Sequence, residues 1–482
     1  MIIIKDFPPI CGSEEKVKES TSGDRGNLYA SVSDLTIDKA QSSFGIALHM
    51  HQPTIPASSD DISTADLISN LQYMMEHQHL GDNHNAPVFL WCYSRMSDFV
   101  KELRNQGKTP RVMLDYSGNL LWGLKQMGEE KVLENLKQVT SDETYHRNVE
   151  WLGTMWSHAV VSSTPIPDIT LHMRAWQEHF ASIFGFEALR RVKGFSPPEM
   201  HLPIHPDVCH EYVKALKECG YEWLMVQEHT IENMDGTRFE RPYVPHRLVA
   251  RNSLGQIQQI PILVKTKGSD TKLVAQMQPY YEAQTKAREE YCSKNVIPYV
   301  LQIADGENGG VMMNEFPDAY KKVCHELGKE GTVAMNGSEY MEFIKSTGLS
   351  EDDFLPVQPV SQSRIWEWVD DFSPGAADRA IDKVNERDPG FNLDKASWTN
   401  DRSWVEGYKD ILDPINELSA AFHKRFDEAD IDTNDPIYKE ALLHLLLSQT
   451  SCFRYWGGGI WTEYAREICR RGMKALDRET SQ

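Results

Sequence analysis

The sequence predicts an α/β fold, a parallel β-barrel followed by a C-terminal helical region. Short apolar runs alternate with amphipathic helical periods from residue 44 to about residue 345, and this alternation is typical of repeated strand–helix units. Several of the runs end abruptly in turn residues and polar side chains, as buried parallel strands do. Beyond about residue 345 the pattern changes and helical periods predominate.

Eight segments have the character of strands. The first begins at Phe44 in FGIALHMHQP and ends at a proline, which cannot continue a strand. The others are Arg111–Asp115, Val149–Leu152, Arg191–Phe195, Tyr221–Gln227, Ile260–Val264, Tyr299–Ala304 and Thr332–Met335. Seven or eight strands with helices between them predict a parallel barrel.

Helical periods lie between several of these strands. In Asp207–Gly220 the apolar residues fall on one face and a glycine ends the pattern. ISTADLISNLQYMMEHQ predicts a helix capped by Ser63. Three amphipathic segments, GYKDILDPINELSAAFHKRF, PIYKEALLHLLLSQTSCFRYW and TEYAREICRRGMKAL, predict the C-terminal helices.

These patterns divide the chain into three regions. Residues 1–42 are polar and lack clear periodicity, so we interpret them as an N-terminal arm. Residues 43–345 contain the predicted strands and form the barrel. Residues 346–482 form a helical domain that packs on the barrel or completes its rim.

Composition and charge limit the classes of function. The 482-residue chain has 71 acidic and 50 basic residues, a net charge of −21. This charge disfavours nucleic acid or an anionic membrane surface as a partner and fits a neutral substrate. The eight cysteines contain no C-x-x-C pair, and no apolar run approaches the roughly 20 residues of a spanning helix. We therefore expect a soluble, cytoplasmic protein.

The predicted strand Tyr299–Ala304 ends in Asp305-Gly-Glu307-Asn-Gly-Gly, which places two carboxylates among glycines. Ligands bind at the carboxyl ends of strands in parallel barrels. A calcium-binding loop is excluded, because Phe316 occupies the position that requires a bidentate acid. Glycines beside Asp305 would let a sugar ring approach the backbone.

A second carboxylate, Glu199, follows the strand Arg191–Phe195 in GFSPPEM. Two prolines fix the backbone just before it, which would hold a catalytic group in place. A pair of carboxyl groups carried by different strands is the arrangement that cleaves glycosidic bonds. The sequence alone also allows a surface turn with an incidental acid at this position.

Two further strand ends carry polar and aromatic side chains. His49, His51 and Gln52 end the first strand, where the histidines could bind a metal or His and Gln could bind a substrate. Glu150, Trp156 and His158 lie in EWLGTMWSH, whose aromatic side chains suit a sugar platform. Tyr455 and Trp456 add two aromatic residues near a predicted helix end. For any single tryptophan, burial in the core is the commoner role.

Five of these segments, HMHQP, GTMWSH, GFSPPE, ADGENGG and SQTSCFRYWGG, resemble in order the motifs of glycoside hydrolase family 57, whose members act mainly on α-glucans. The resemblance covers roughly residues 44–465. It implies an incomplete, TIM-like (β/α)7 barrel with a helical region after it, and retention of anomeric configuration. The fifth motif departs from the family pattern, because Cys452 stands where many members carry an acid.

The resemblance also implies residue roles. Glu199 would be the nucleophile and Asp305 the general acid/base, and the substrate would be an α-linked oligosaccharide or glucan. His51, Glu150, His158, Glu307 and Trp456 would lie in or near the substrate site. The full set of predicted binding residues also includes His49, Gln52, Trp156 and Tyr455. Neither a cofactor nor a metal is expected for this chemistry.

Two other functions fit parts of the same sequence. A metal-dependent carbohydrate deacetylase on a related barrel would place His49, His51 and a nearby acid around a divalent metal. A non-catalytic carbohydrate-binding protein would use the acids only for hydrogen bonds. The second function gives no reason for placing both acids at strand ends after rigid or glycine-rich turns.

Overall fold

The computed structural model describes residues 7–267, 271–309, 312–328, 331–391, 393, 409–427, 432–455 and 458–478. The strands are β1 Ser42–Met50, β2 Thr54–Pro56, β3 Leu67–Ser69, β4 Val112–Tyr116, β5 Val149–Trp151, β6 Gly194–Phe195, β7 Trp223–Gln227, β8 Ile231–Asn233, β9 His246–Arg251, β10 Ile257–Lys265, β11 Glu289–Tyr291, β12 Lys294–Val296, β13 Tyr299–Asp305, β14 Thr332–Ala334 and β15 Pro356–Pro359.

The helices surround the strands and form most of the C-terminal region. They are α1 Glu14–Thr21, α2 Asn70–Glu76, α3 Ala86–Asn105, α4 Gly118–Gln126, α5 Glu130–Ser141, α6 Ile166–Phe184, α7 Phe186–Arg190, α8 Pro206–Glu218, α9 Thr271–Ala275, α10 Gln278–Gln284, α11 Phe316–Glu326, α12 Gly337–Ser346, α13 Gln362–Trp366, α14 Ala376–Arg387, α15 Lys409–Phe426, α16 Pro436–Ser448, α17 Ser451–Tyr455 and α18 Ile460–Leu476. Among the described residues, no helix has the length and apolar character needed to cross a membrane.

The central sheet is mostly parallel. Strand β1 lies between β4 and β13 and runs parallel to both. Strand β4 continues to β5, and β13 continues through β10 and β7 to β6, again in parallel. A parallel bridge joins Gly153, just after β5, to Phe195 in β6. The prediction of an α/β fold with a parallel central sheet is therefore confirmed.

Every predicted strand coincides with an observed one, but the outer part of the sheet was missed. Strand β9 pairs antiparallel with β10, and β15 joins β9 to β8. Strand β15 lies in the region predicted to be helical. Pro356 and Pro359 stand at its two ends, and prolines in a short segment argue against a strand when only the sequence is known. The helix predicted from Ser63 begins later, at Asn70, because the short strand β3 comes first and Ser69 caps the helix.

The C-terminal helices form a layer of their own. Helix α18 packs against α15 and α16, and leucines fill the interior of α16. Helix α16 contacts α6 of the sheet region. The layer therefore lies against the sheet region through the helix that follows β5 in the chain.

The N-terminal arm is docked along the fold. Helix α1 packs on α6 and α7. Beyond it, the buried Glu342 carboxylate accepts hydrogen bonds from the backbone N–H groups of Leu28, Tyr29 and Ala30 at 3.0, 2.8 and 2.7 Å. Lys193 completes the environment of this carboxylate with an ion pair of 2.8 Å. One buried charge thus fastens the arm to α12.

Replacing Glu342 with alanine is expected to lower the free energy of unfolding by about 3 kcal/mol, because it leaves three backbone N–H groups without their partner and removes the nearer of the two carboxylates that pair with Lys193. Chemical denaturation measures the loss, and limited proteolysis near residue 27 should become faster. The matched control is Glu351→Ala, which removes a more exposed pair with Lys345 and should cost less than about 1 kcal/mol. Equal losses of unfolding free energy in the two variants would contradict the role of Glu342 in fastening the arm to α12.

Candidate active site

Three polar side chains form a row across the carboxyl ends of neighbouring parallel strands. His49 of β1 pairs in register with Asp115 of β4 on one side and with Asp305 of β13 on the other. His49 Nδ1 lies 3.0 Å from Asp115 Oδ2, and both side chains are buried. The row places a histidine between two acids at one edge of the sheet.

Two further histidines stack beside this row. The His158 ring lies 4.4 Å from the rings of both His49 and His51, measured between centroids. His51 Nδ1 lies 2.7 Å from Ser117 Oγ, just beyond β4. Burial lowers the pKa of His51 and His158, and the neighbouring histidines lower each of them further. His51 and His158 are therefore neutral rings at neutral pH.

Glu199 reaches this cluster from the turn after β6. Two prolines precede it, and its backbone adopts a left-handed conformation with φ of 57°. Glu199 Oε1 lies 3.8 Å from His158 Nδ1, and 21% of the Glu199 side chain is exposed. Burial raises the pKa of Glu199 to about 7, with the charge of Asp305 as the second cause. The two carboxyl groups therefore lie close enough to influence each other's charge.

Asp305 is the last residue of β13, and Glu307 lies on the short turn that follows it. Glu307 Oε2 accepts hydrogen bonds from the His51 backbone N–H at 2.9 Å and from the Tyr93 hydroxyl at 3.2 Å. Burial raises the pKa of Glu307 to about 8 and also raises that of Asp305, while His49 opposes both shifts. The buried Arg95 donates to the Gly306 carbonyl at 2.8 Å and holds this turn against α3.

The C-terminal region contributes the last part of the cluster through α17. Ser451 Oγ lies 2.6 Å from His158 Nδ1, and the Ser451 N–H donates to the His158 carbonyl at 3.1 Å. Cys452 Sγ lies 3.4 Å from His51 Nε2. Burial raises the pKa of the Cys452 thiol, and the charge of Glu199 raises it further. The residue at the divergent position of the fifth motif is thus a neutral thiol against a neutral imidazole.

Three predicted binding residues lie among core side chains. Gln52 is buried and accepts a hydrogen bond from Asn70 at 3.0 Å. Glu150 is fully buried, and its carboxyl accepts from the backbone N–H and hydroxyl of Ser338. Trp156 is also fully buried, and its indole N–H donates to His179 at 3.2 Å. Their roles in substrate binding stay predictions.

The other predicted binding residues divide into two groups. His49, His51, His158 and Glu307 come together with Glu199 and Asp305 in one cluster. Tyr455 is the last residue of α17, but its side chain, and the whole of Trp456, lie outside the described residues. Across the described part of the chain, no group of three or more His, Cys, Asp and Glu side chains is arranged to hold a metal ion.

Asp115 is a member of the cluster that sequence reasoning missed. Its segment was predicted as a strand, but the acid at its end was not connected with the others. The signal was present, since VMLDY places an acid at the end of an apolar run in the same way as YVLQIAD does. Only the adjacency of β4 and β1 shows that this acid faces His49.

Comparison with protein families matches residues 46–265 to the model of glycosyl hydrolase family 57. Comparison with curated proteins gives no match. The fold resembles a 4-α-glucanotransferase from Thermococcus litoralis, with a TM-score of 0.52 and 16% identity over 90% of this chain. This chain covers 58% of that enzyme, less than two thirds of its length.

Two other solved structures have a similar fold. A family 57 branching enzyme from Thermococcus kodakaraensis gives a TM-score of 0.51 at 13% identity, covering 91% of this chain and 89% of that one. The α-amylase AmyC from Thermotoga maritima gives 0.50 at 11% identity, covering 91% and 93%. The predicted family resemblance is confirmed. The match to a glycosyl hydrolase family 57 domain covers residues 46–265, less than half of the 482-residue chain.

Proposed function

We propose that the protein is a retaining glycoside hydrolase or transglycosylase that acts on α-linked glucans or oligosaccharides, with Glu199 as nucleophile and Asp305 as general acid/base. The observation that carries the proposal is the electrostatic contact between these two carboxyl groups in a half-buried cluster. The charge of Asp305 is the second cause, after burial, of the raised pKa of Glu199. Two carboxyl groups that share protons in this way are suited to acid/base and nucleophilic roles.

The arrangement of strands supports a barrel. We infer that β1, β4, β5, β6, β7, β10 and β13 form a closed parallel ring, the (β/α)7 barrel, with the Gly153–Phe195 bridge joining β5 to β6. Catalytic groups in such barrels lie at the carboxyl ends of the strands. Glu199 follows one strand of this ring, and Asp305 is the last residue of another.

The reaction would proceed in two displacements. A Glu199 oxygen attacks the anomeric carbon while the bond to the leaving oxygen breaks, and Asp305 gives its proton to that oxygen. Asp305 then takes a proton from water or from an acceptor sugar, whose oxygen attacks the same carbon and displaces Glu199. Water gives hydrolysis, and a sugar acceptor gives transfer. Retention requires carboxyl groups about 5 to 5.5 Å apart.

The substrate class is proposed from two kinds of support. The match of residues 46–265 to glycosyl hydrolase family 57 and the fold shared with a glucanotransferase, a branching enzyme and an α-amylase favour α-linked glucose polymers. The net charge of −21 fits a neutral sugar. The C-terminal helical region would complete the rim of the site, since Ser451 and Cys452 of α17 contact its histidines.

A cytoplasmic location also belongs to this proposal. All eight cysteines are free thiols in the structure, and six of them are buried. Free thiols in this number are typical of proteins that work in a reducing compartment. The oligomeric state carries no proposal.

Replacing Glu199 with glutamine should lower kcat on maltooligosaccharides at least about 1000-fold, because the amide cannot attack the anomeric carbon. Binding of the same oligosaccharides, measured by calorimetry, should stay within about threefold of the wild type, since shape and most hydrogen bonds are kept. Product chromatography with the wild type shows whether water or a sugar accepts the glycosyl group.

The matched control is Glu178→Gln. Glu178 of α6 is another buried acid, and burial raises its pKa to about 7. It accepts from the Ser13 N–H in the arm rather than from the cluster, so activity should stay within about twofold. Equal loss of turnover and binding in Glu199→Gln would count against the nucleophile and favour a binding protein.

The pH dependence of kcat/KM should be bell-shaped, with an alkaline limb at higher pH than an exposed aspartic acid would give. Burial raises the pKa of both Glu199 and Asp305, with the charge of Asp305 raising that of Glu199 further and the charge of Asp115 that of Asp305, and the pair is active when it holds one proton. Above the higher pKa both groups are ionised and none can protonate the leaving oxygen, so activity falls as pH rises. Initial rates on a maltooligosaccharide between pH 4 and 9 measure the two limbs.

The variant Asp305→Asn tests the assignment of the alkaline limb. Its kcat/KM should fall about 100-fold or more on maltooligosaccharides and much less on an aryl glycoside whose leaving group needs no proton. With that aryl substrate the alkaline limb should disappear. An alkaline limb that persists in Asp305→Asn would assign the titrating proton to another group.

A further inference from the structure

Asp115 is held at the centre of the cluster without a role in the two displacements. It is 1% exposed and lies in register with His49 on the side opposite Asp305. Its Oδ2 lies 3.0 Å from His49 Nδ1. Its other oxygen, Oδ1, is buried and has no hydrogen-bond partner among the described residues. Such a buried carboxylate is costly unless an opposite charge compensates it.

His49 is the group that can supply this charge, and it is surrounded by titratable side chains. They are Asp115 from β4, Asp305 and Glu307 from β13 and its turn, His51 from the end of β1, His158 after β5, and Glu199 after β6. From α17, Arg454 acts on Glu199, and Cys452 contacts His51. His51 and His158 are neutral because burial and their neighbours lower their pKa.

We propose that Asp115 is a positioning residue that fixes His49 in its charged form and orientation, and that through this fixed cation it sets how many protons Glu199 and Asp305 share. The inference rests on the proposed function, since it assigns the residue that controls the two reacting acids. Asp115 itself does not touch the sugar. It acts on Glu199 through the imidazolium of His49, and its own charge raises the pKa of Asp305 directly, by less than the imidazolium lowers it.

The electrostatics agree with this geometry. Burial alone would make His49 neutral, but the charge and hydrogen bond of Asp115 reverse that effect and raise the pKa of His49 to about 9. The resulting cation lowers the pKa of Glu199, Asp305 and Glu307. Without it, three half-buried carboxyl groups would retain additional protons, and Glu199 would be a poorer nucleophile.

The hydrogen bond also determines the orientation of the ring. A histidine whose Nδ1–H is bound to a carboxylate has a fixed ring plane and a fixed proton on that nitrogen. This leaves Nε2 of His49 as the nitrogen available on the side away from Asp115. An aspartate-to-asparagine change keeps the shape of the partner but removes the charge that retains the second proton on the imidazole.

The test is the variant Asp115→Asn, with kcat/KM on a maltooligosaccharide measured from pH 4 to 9. Loss of the His49 charge should move the acid limb of Glu199 to higher pH by about one unit, because a nearby opposite charge lowers a carboxyl pKa by about that much. The alkaline limb of Asp305 should move in the same direction by less, because loss of the Asp115 charge lowers the pKa of Asp305 directly. A purely structural role would lower activity at every pH and leave the limbs in place. That result would overturn the proposal.

Two controls isolate the effect. Glu339→Gln removes another fully buried carboxylate, which pairs with Arg111 at the opposite end of β4 at 2.8 Å, and it should not move the limbs. In a His49→Asn background, adding Asp115→Asn should leave the acid limb of Glu199 in place, since the mediating cation is already absent. It should move the alkaline limb only to lower pH, since the charge of Asp115 raises the pKa of Asp305 directly. A further shift of the acid limb in that double variant would contradict transmission through His49.

A second measurement is independent of activity. In protein labelled at histidine Cε1 with ¹³C, and with His49 assigned through His49→Asn, its signal should titrate near pH 9 in the wild type and below pH 7 in Asp115→Asn. A His49 that is neutral at pH 7 in the wild type overturns the proposal even if the variant does not fold. Failure to cleave any glycoside would instead refute the proposed function, while this titration would still decide the role of Asp115.

Discussion

The register between three parallel strands is the constraint on which the site depends. His49, Asp115 and Asp305 lie in one row only because β1 pairs with β4 and β13 in this alignment. A slip of one residue would turn every side chain of a strand to its other face. All nine residues of β1 are buried, so a slip would also exchange the packing partners on both faces. Burial of the central strand therefore fixes the geometry of the polar row at its end.

The same burial determines the electrostatics of the cluster. Glu199, Asp305 and Glu307 are all removed from most of the solvent, and each has a raised pKa for that reason first. A water-filled cleft would leave all three ionised at neutral pH. In this fold the imidazolium of His49 offsets part of the free-energy cost of burying the ionised carboxylates. The carboxyl groups still stay protonated to a higher pH than they would in water. Proton sharing among the acids is thus a consequence of packing as much as of their sequence identity.

The sequence predicted the site where the signal is local. Asp305 and Glu199 each follow an apolar run and a rigid or glycine-rich turn, and both lie in the cluster. Trp156 shows what a local signal leaves open. It also stands near a strand end, but its indole is fully buried and packs where a side chain at Gly118 of α4 would otherwise lie. Whether a strand-end tryptophan is covered depends on helices outside its own segment, here α4 and also α6, whose His179 accepts its indole N–H.

The contacts that sequence could not predict join residues far apart in the chain. Asp115 meets His49 through strand order, and Ser451 meets His158 across 293 residues. The latter contact also bears on backbone energetics, because His158 and Glu199 both adopt positive φ, 61° and 57°. Such conformations cost about 1 kcal/mol or more each for residues other than glycine. They persist only when surrounding contacts compensate for the strain.

For His158 those contacts come from the C-terminal region. Ser451 binds both its ring and its carbonyl, and Ala159 forms an antiparallel bridge with Thr450. For Glu199, the carboxyl faces the same histidine at 3.8 Å. The two strained residues therefore support each other only while α17 is docked. The helical region is in this sense part of the candidate site, because without it the backbone at His158 would lose the hydrogen bonds that compensate for its conformation.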